Sequence, residues 1–253
     1  MKKVNIFLFI LLFPLLLNSY IFEVDKVETL IFISSALALD LSNNYFDRQL
    51  IEAPTDLELD ILDKDDVPFF DRIAFQPYSF ELKDISDYSA YMAVGIAFYC
   101  LYESDKEVFM DNLIVFSEIM IAQSAISKWT KTITHRYRPF VYNEDVPNSK
   151  KKQRNSQHSF YSMHSSSTFA SATYGYYYYS NNYGHNIIMG SLLFGSASAT
   201  AILRVASAQH FPSDVIVGAI VGSGISYIIC KYHQNKKLNL SFGYDSVNIS
   251  YRF

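Results

Sequence analysis

The chain has 253 residues, 50% of them hydrophobic and 18% charged, with a formal net charge of −4. That length supports one main domain with a full core, and the acidic balance excludes a general nucleic-acid binder. Twenty Tyr and twenty Phe suit an amphipathic, membrane-proximal surface, while a mean hydropathy of +0.06 is low for a protein made only of membrane spans.

Residues 1–19 read as a signal peptide, or as an anchor if uncleaved. Lys2 and Lys3 precede an apolar run over 4–17 in which only Asn5 is polar. That run is short for a span and right for a signal core. Residues 20–84 read as an N-terminal helix and an irregular acidic connection. The helix is predicted over 26–41, apolar at Leu30, Ile31, Ile33, Ala36, Leu37 and Leu41. Residues 44–84 carry Pro54, Pro68 and Pro77 and the acids Asp56, Glu58, Asp60, Asp63, Asp65 and Asp66. No EF-hand glycine is in register, so this is a solvated loop with short helical turns.

Residues 85–232 read as the catalytic helical domain. An apolar helix is expected over 85–102 and a second over 107–135, with Leu113, Phe116, Met120, Ala125 and Ile126 facing the core and Trp129 in packing. The second delivers the block Lys131-x6-Arg138-Pro139. Residues seven apart on a helix share a face two turns apart, with a drift of about 20°, so one anion reaches both cations. Pro139 ends the helix there and leaves the Arg138 fork free for two phosphate oxygens. The loop 140–160 follows. Its basic run Lys150-Lys151-Lys152-Gln153-Arg154 is solvated or draws anionic head groups.

Three helices are expected over 165–180, 186–203 and 212–232, with a turn at Asn181-Asn182-Tyr183-Gly184. The second block, Ser162-Met163-His164, opens the first helix, with Ser165 or Ser166 as its N-cap. A helix N-terminus offers unpaired N–H groups to an anion. Ser162 and the Met163 amide point into that site, and His164 is its natural proton carrier. The third block runs from Arg204 through His210 to Asp214. Pro212 fits the first turn of the last helix. A carboxylate on one imidazole nitrogen fixes the tautomer and leaves the other nitrogen nucleophilic. His135, His158, His185 and His233 are read as non-catalytic.

Gly218-x-x-x-Gly222 permits close helix contact in a membrane or in a soluble bundle. Residues 186–203 and 215–230 carry no charge and are borderline in length for spans. Cys100 and Cys230 read as buried free thiols, with one bridge left open. Residues 233–253 form the tail. It alternates apolar and polar residues around Asp245-Ser246, a β-hairpin pattern.

The three blocks resemble the signature of the type 2 phosphatidic acid phosphatase (PAP2) superfamily: Lys-x6-Arg-Pro, then Pro-Ser-Gly-His, then Ser-Arg-x5-His-x3-Asp. The first block matches at every fixed position and the third from Arg204 onward. Tyr161 stands for the Pro, Met163 for the Gly and Leu203 for the Ser. The resemblance covers roughly residues 85–231. It implies an all-α bundle of five to six core helices, to which the tail adds a small β-hairpin. It implies a phosphatase with no cofactor and no metal. His210 is then the nucleophile that forms a phosphohistidine, Asp214 orients it, and His164 protonates the leaving oxygen. Lys131, Arg138, Arg204, Ser162 and the Met163 amide bind the phosphoryl oxygens.

The resemblance also implies a phosphorylated substrate, of lipid class, and a membrane surface or bilayer as partner. The location that follows is the periplasmic side of a bacterial envelope. Phosphatidic acid, phosphatidylglycerol phosphate, undecaprenyl diphosphate, lipid A phosphate and a soluble substrate all stay open, as does the oligomeric state. Vanadium-dependent haloperoxidases share the site by resemblance, but their chains are usually much longer. A non-catalytic scaffold or binding protein of the same fold has only Tyr161 and Met163 in its favour.

Overall fold

The computed structural model describes residues 21–100 and 105–234, together with the backbone at 238–242 and 247–251. The signal segment expected over 1–19 and the turn expected at Asp245-Ser246 lie outside the described residues. The described residues form an all-α body of eight helices. They are α1 (Lys26–Leu50), α2 (Asp56–Asp60), α3 (Phe80–Tyr99), α4 (Lys106–Thr134), α5 (Asn148–Lys151), α6 (Met163–Tyr183), α7 (Ile187–Ala206) and α8 (Pro212–Gln234). After α8 the backbone at Leu238–Phe242 pairs antiparallel with that at Val247–Tyr251.

Helix α6 is the centre of the body. It packs against α3, α4, α7 and α8, while α1 lies along α4 and α3 along α7. The sequence of α6 explains this position: it carries no charge beyond His164, and small residues alternate with tyrosines. Tyr174 and Tyr178 are buried with Val115, Phe116 and Ile119 of α4 and Cys230 of α8. The Tyr174 hydroxyl donates to the Asn112 carbonyl at 3.2 Å, which removes the cost of burying it. A second cluster joins Ala97, Ala172, Leu193 and Ala197 of α3, α6 and α7. Both cysteines are free, and Cys230 is fully buried.

The glycines of α8 set how close it comes to α6. A Cβ on Gly218 would lie 2.6 Å from the Ser162 carbonyl oxygen, and one on Gly222 would lie 2.1 Å from that of Ser166. Backbone therefore touches backbone at the start of α6.

Several helices are longer than expected. Helix α1 continues past residue 41 to Leu50 because its later polar residues are satisfied on the α4 side. Asp40 accepts from Ser124 and Lys128, and buried Asn43 donates to Thr132 at 2.9 Å. Helix α3 starts at Phe80, capped by the Ser79 hydroxyl, rather than at 85. Helix α6 runs through the expected Asn181–Tyr183 turn and stops at Gly184, whose φ of 80° suits a residue without Cβ. The acidic connection is held by caps and ion pairs, among them the Thr55–Glu58 capping box and Lys152–Asp56 at 2.7 Å.

The stretches Lys106–Tyr142, Ile187–Ala206 and Pro212–Gln234 are long and apolar enough to cross a membrane. Ile187, Ile188 and Ile202 of α7 and Ile216, Ile220 and Ile228 of α8 are exposed to the surroundings. An apolar exterior of that extent on helices of that length marks a membrane-associated protein.

Candidate active site

Lys131 lies in the last turn of α4 and is buried. The helix stops at Thr134, because His135 takes a left-handed conformation (φ 47°) while its amide still reaches the Lys131 carbonyl at 3.2 Å. Arg138 is extended, with φ −78° and ψ 153°, and its amide donates to the Ser156 carbonyl at 2.8 Å. The expectation that Lys131 and Arg138 share one helical face is therefore corrected: the helix ends before Arg138, and Pro139 opens a 3₁₀ turn instead. Arg138 still turns inward. Its Nε donates to the Asn155 carbonyl at 3.0 Å, and its Nη1 lies 3.5 Å from His210 Nε2.

The N-cap of α6 is Ser162, not Ser165 or Ser166. Its hydroxyl accepts from the Ser165 amide at 3.4 Å. Ser165 is instead spent on α8, donating to the Val215 carbonyl at 2.7 Å. Met163 opens the helix without a positive φ, so the glycine usual in the family pattern is not required here. First-turn amides have no helical partner, which makes this end of α6 receptive to an anion. His164 follows, with Nε2 3.2 Å from Asp87 Oδ1.

Arg204 lies near the end of α7. Its carbonyl accepts from the amides of both Gln209 and His210, at 3.1 and 3.2 Å, and Ala208 makes the turn with φ 54°. That tight loop brings His210 back over the helix end, fully buried. His210 Nδ1 lies 2.8 Å from the Ser159 carbonyl. A carbonyl only accepts, so Nδ1 carries the proton and the lone pair of the neutral ring sits on Nε2, facing Arg138.

Asp214 does not hold the imidazole directly as expected. Its Oδ2 is 3.7 Å from His210 Nδ1. Lying in the first turn of α8, it reaches back to the Phe211 amide at 2.8 Å and accepts from the Ser159 hydroxyl at 2.5 Å. Its other oxygen takes Arg136 Nη1 at 2.6 Å.

Other residues of the site escaped sequence reasoning. Asp87 of α3 takes Arg204 Nη1 at 2.6 Å and Lys83 at 2.8 Å besides His164. A carboxylate inside an otherwise apolar run was the available signal. Arg136 stands between Lys131 and Arg138, inside the x6 of the first block, where the pattern marks no position. Asp71, from the acidic connection, accepts from Arg136 Nη2 at 2.6 Å. The Tyr78 hydroxyl, Gln209 Nε2 and Arg204 Nε are buried without a hydrogen-bond partner among the described residues. Arg204 was already marked by its block, whereas nothing in the spacing marks Tyr78 or Gln209.

The electrostatics follow from burial in a cluster of cations. Burial pushes His210 well below the usual imidazole range, and Arg138, Arg204, Lys131 and His164 push the same way. Burial also brings His164 down to about 4, with Arg204 and Lys131 adding to the fall and Asp87 opposing it. Asp87 is held well below the usual carboxylate range, first by its hydrogen bond to His164 and then by Lys83 and Arg204. Lys83 and Arg204 keep Asp87 ionised in either state of His164. Burial outweighs Asp87, so the His164 imidazole of the free site lies below its ordinary range. An unprotonated imidazole nitrogen among three buried or half-buried cations can receive a phosphoryl group.

A sequence model of the PAP2 superfamily matches residues 112–238. No curated protein matches the chain. Among solved structures, the crystal structure of Aquifex aeolicus LpxE is similar, with 21% identity over 64% of this chain and 92% of that one and a TM-score of 0.43. The superfamily match takes in half of this chain and all three blocks, from Lys131 to Asp214, so the chain belongs to the PAP2 superfamily and is a phosphoric ester hydrolase.

Proposed function

We propose that the chain is a metal-independent phosphatase that releases phosphate from a phosphomonoester or terminal diphosphate of a lipid, through a phosphohistidine on His210. The observation that carries this reading is the state of His210. Its Nδ1 is committed to the Ser159 carbonyl at 2.8 Å, and its Nε2 faces the Arg138 guanidinium at 3.5 Å. Lys131, Arg138, Arg204, Ser162 and the Met163 amide hold the phosphoryl oxygens. Nε2 attacks phosphorus, the bond to the leaving oxygen breaks, and His164 gives that oxygen its proton. His164 then takes a proton from water as the water attacks phosphorus. The N–P bond breaks, phosphate leaves, and His210 is restored.

His164 needs its proton for the first step. A bound phosphoryl dianion adds negative charge beside the imidazole and raises its affinity for that proton, so binding arms the acid. The cations stabilise charge on the equatorial oxygens in the transition state, which is the main catalytic term.

The lipid class is supported by membrane association and by an apolar cavity of about 960 Å³ next to the site. Leu82, Phe169, Val205, Pro212, Val215 and Ile216 are among its lining residues. Val205, Val215 and Leu82 are chain neighbours of Arg204, Asp214 and Lys83, so the cavity lies beside elements that carry the site. We assign the site to the periplasmic side of a bacterial envelope on the Lys2-Lys3 start and the apolar run over 4–17. An alkaline phosphatase fused after residue 25 is then active.

The deciding experiment is phosphate release by the purified protein, with EDTA present, from a panel of phosphatidic acid, phosphatidylglycerol phosphate, a prenyl diphosphate and lipid A phosphate. Release from at least one of them in EDTA is expected. Activity that EDTA abolishes and zinc or magnesium restores overturns the mechanism.

A further inference from the structure

Resting on that reading, we propose that Asp71 and Arg136 are positioning residues that hold the His210 imidazole in its reactive tautomer, acting through Asp214. The chain of contacts is continuous and short. Asp71 is buried and accepts from three groups: Arg136 Nη2 at 2.6 Å, the Ser213 amide at 2.8 Å and the Ser213 hydroxyl at 2.6 Å. Arg136 reaches Asp214 Oδ1 with its other nitrogen at 2.6 Å and lies over the Phe211 ring at 4.2 Å. It also donates to the Ser213 hydroxyl oxygen at 2.7 Å.

Asp214, fully buried and clamped in this way, fixes backbone on both sides of the nucleophile. Its Oδ2 takes the Ser159 hydroxyl, and the Ser159 carbonyl is the acceptor for His210 Nδ1. The same oxygen takes the amide of Phe211, the residue next to His210. A buried carboxylate without a partner is costly; burial raises the Asp214 carboxyl above its ordinary range, and Arg136, facing it, works the other way. Arg136 in turn is held in its two-pronged pose by Asp71. Among the described residues, the side-chain hydrogen bonds and ion pairs of Asp71 and Arg136 go to each other, to Ser213 and to Asp214, and none goes to His210, His164, Arg138 or Arg204. Asp71 lies outside the 112–238 match, so the acidic connection before α3 contributes to the site of the helical domain.

The test starts with wild-type turnover and a trapped phosphohistidine. Asp71→Asn and Arg136→Gln are compared in detergent, each checked for helicity and thermal unfolding. Expected is a fall in kcat of roughly 10–100-fold, the usual scale for groups that orient a functional imidazole, with KM within about twofold. Arg136→Lys keeps the charge without the fork and recovers part of the loss. The double variant loses no more than the worse single variant, because both act along one chain of contacts. Unchanged kcat in the folded variants, an effect on KM alone, or losses that multiply overturns the proposal. If Asp71→Asn does not fold, Ser213→Ala takes its place, and an unchanged kcat there has the same consequence. If the wild type releases no phosphate, the phosphatase reading fails by itself. Nitrogen NMR of labelled histidine then decides the positioning role: a His210 Nδ1 proton lost in Arg136→Gln sustains it, and an unchanged tautomer overturns it.

Discussion

His210 Nδ1 lies 2.8 Å from the Ser159 carbonyl and 3.7 Å from Asp214 Oδ2. The tautomer of His210, the proposed nucleophile, is thus set by a backbone oxygen, and the carboxylate acts one step further out. Asp214→Asn keeps an oxygen for the Ser159 hydroxyl but loses the charge that Arg136 holds, so it loosens the Ser159 carbonyl without removing it. Its loss should therefore stay below the factor of about 10⁴ seen where a carboxylate itself fixes the tautomer of a catalytic histidine. His210→Ala should accumulate no phosphoenzyme on any substrate, while Asp214→Asn accumulates it slowly. Quenching at alkaline pH and counting phosphohistidine distinguishes the two. Equal absence in both variants places Asp214 in the first rank after all.

His164→Ala should discriminate between leaving groups. An alkoxide leaves poorly without a proton, and general acid help is typically worth about 10²–10⁴-fold. p-Nitrophenolate needs little protonation, so its loss should be much smaller. Single-turnover rates on a lipid phosphate and on p-nitrophenyl phosphate measure both, and equal factors on the two would remove His164 from the role of acid.

The pH profile should separate the free and the substrate-bound enzyme. His164 must be protonated to act, and in the free site burial holds it at about 4. The descending limb of kcat/KM therefore begins at acid pH. A bound phosphoryl group raises the imidazole, so the descending limb of kcat lies at higher pH. Asp87 is the group that opposes the depression of His164. Removing its charge in Asp87→Asn moves the kcat limb to lower pH, and a limb that stays put or moves up refutes the coupling.

The legible parts of this chain were those written in local pattern. Lys131, Arg138, Ser162, His164, Arg204, His210 and Asp214 stand at fixed spacings, and the helices that carry them have uncharged runs of the right length. The cap of α6 was misread because Ser162, Ser165, Ser166 and Ser167 are equivalent by composition. Only the approach of α8 decides that Ser165 bonds to Val215 while Ser162 caps. The range expected for α4, 107–135, agrees with Lys106–Thr134, but the stop itself is made by a left-handed His135, which no local pattern shows, and not by the visible breaker Pro139. Asp71, Asp87 and Arg136 were missed for a different reason. Their partners are 142, 117 and 78 residues away in the chain, and no short window holds both ends of such a pair.

Orthovanadate should inhibit competitively with substrate. It takes the trigonal-bipyramidal shape of in-line phosphoryl transfer, with His210 Nε2 as one apex and the cations around its equatorial oxygens. Steady-state inhibition at several substrate concentrations reads the mode. Inhibition that substrate does not relieve counts against a histidine nucleophile, and peroxide-dependent bromination by the vanadate-loaded protein would instead favour haloperoxidase chemistry.

The contact between α6 and α8 gives a prediction whose sign is opposite to helix propensity. In an open helix position, Gly→Ala stabilises by roughly 0.5–1 kcal/mol. Gly224 is such a position, with nothing within 4 Å of an added Cβ, so Gly224→Ala should be neutral or stabilising and fully active. At Gly222 the added Cβ lies 2.1 Å from the Ser166 carbonyl oxygen, and at Gly218 it lies 2.6 Å from that of Ser162. Both neighbours are backbone, so no rotamer change relieves the clash and α8 must move away from α6. Overpacking of this kind typically costs about 1–3 kcal/mol or more. Ser162 lies at the contact that is lost as α8 and the start of α6 separate, and with the proposed phosphate-binding role of Ser162 and the Met163 amide, Gly218→Ala and Gly222→Ala should also raise KM for substrate. Thermal unfolding and steady-state kinetics on the three variants test this together. If Gly222→Ala matches Gly224→Ala in stability and KM, the close backbone contact that places the phosphate-binding end of α6 is not as described.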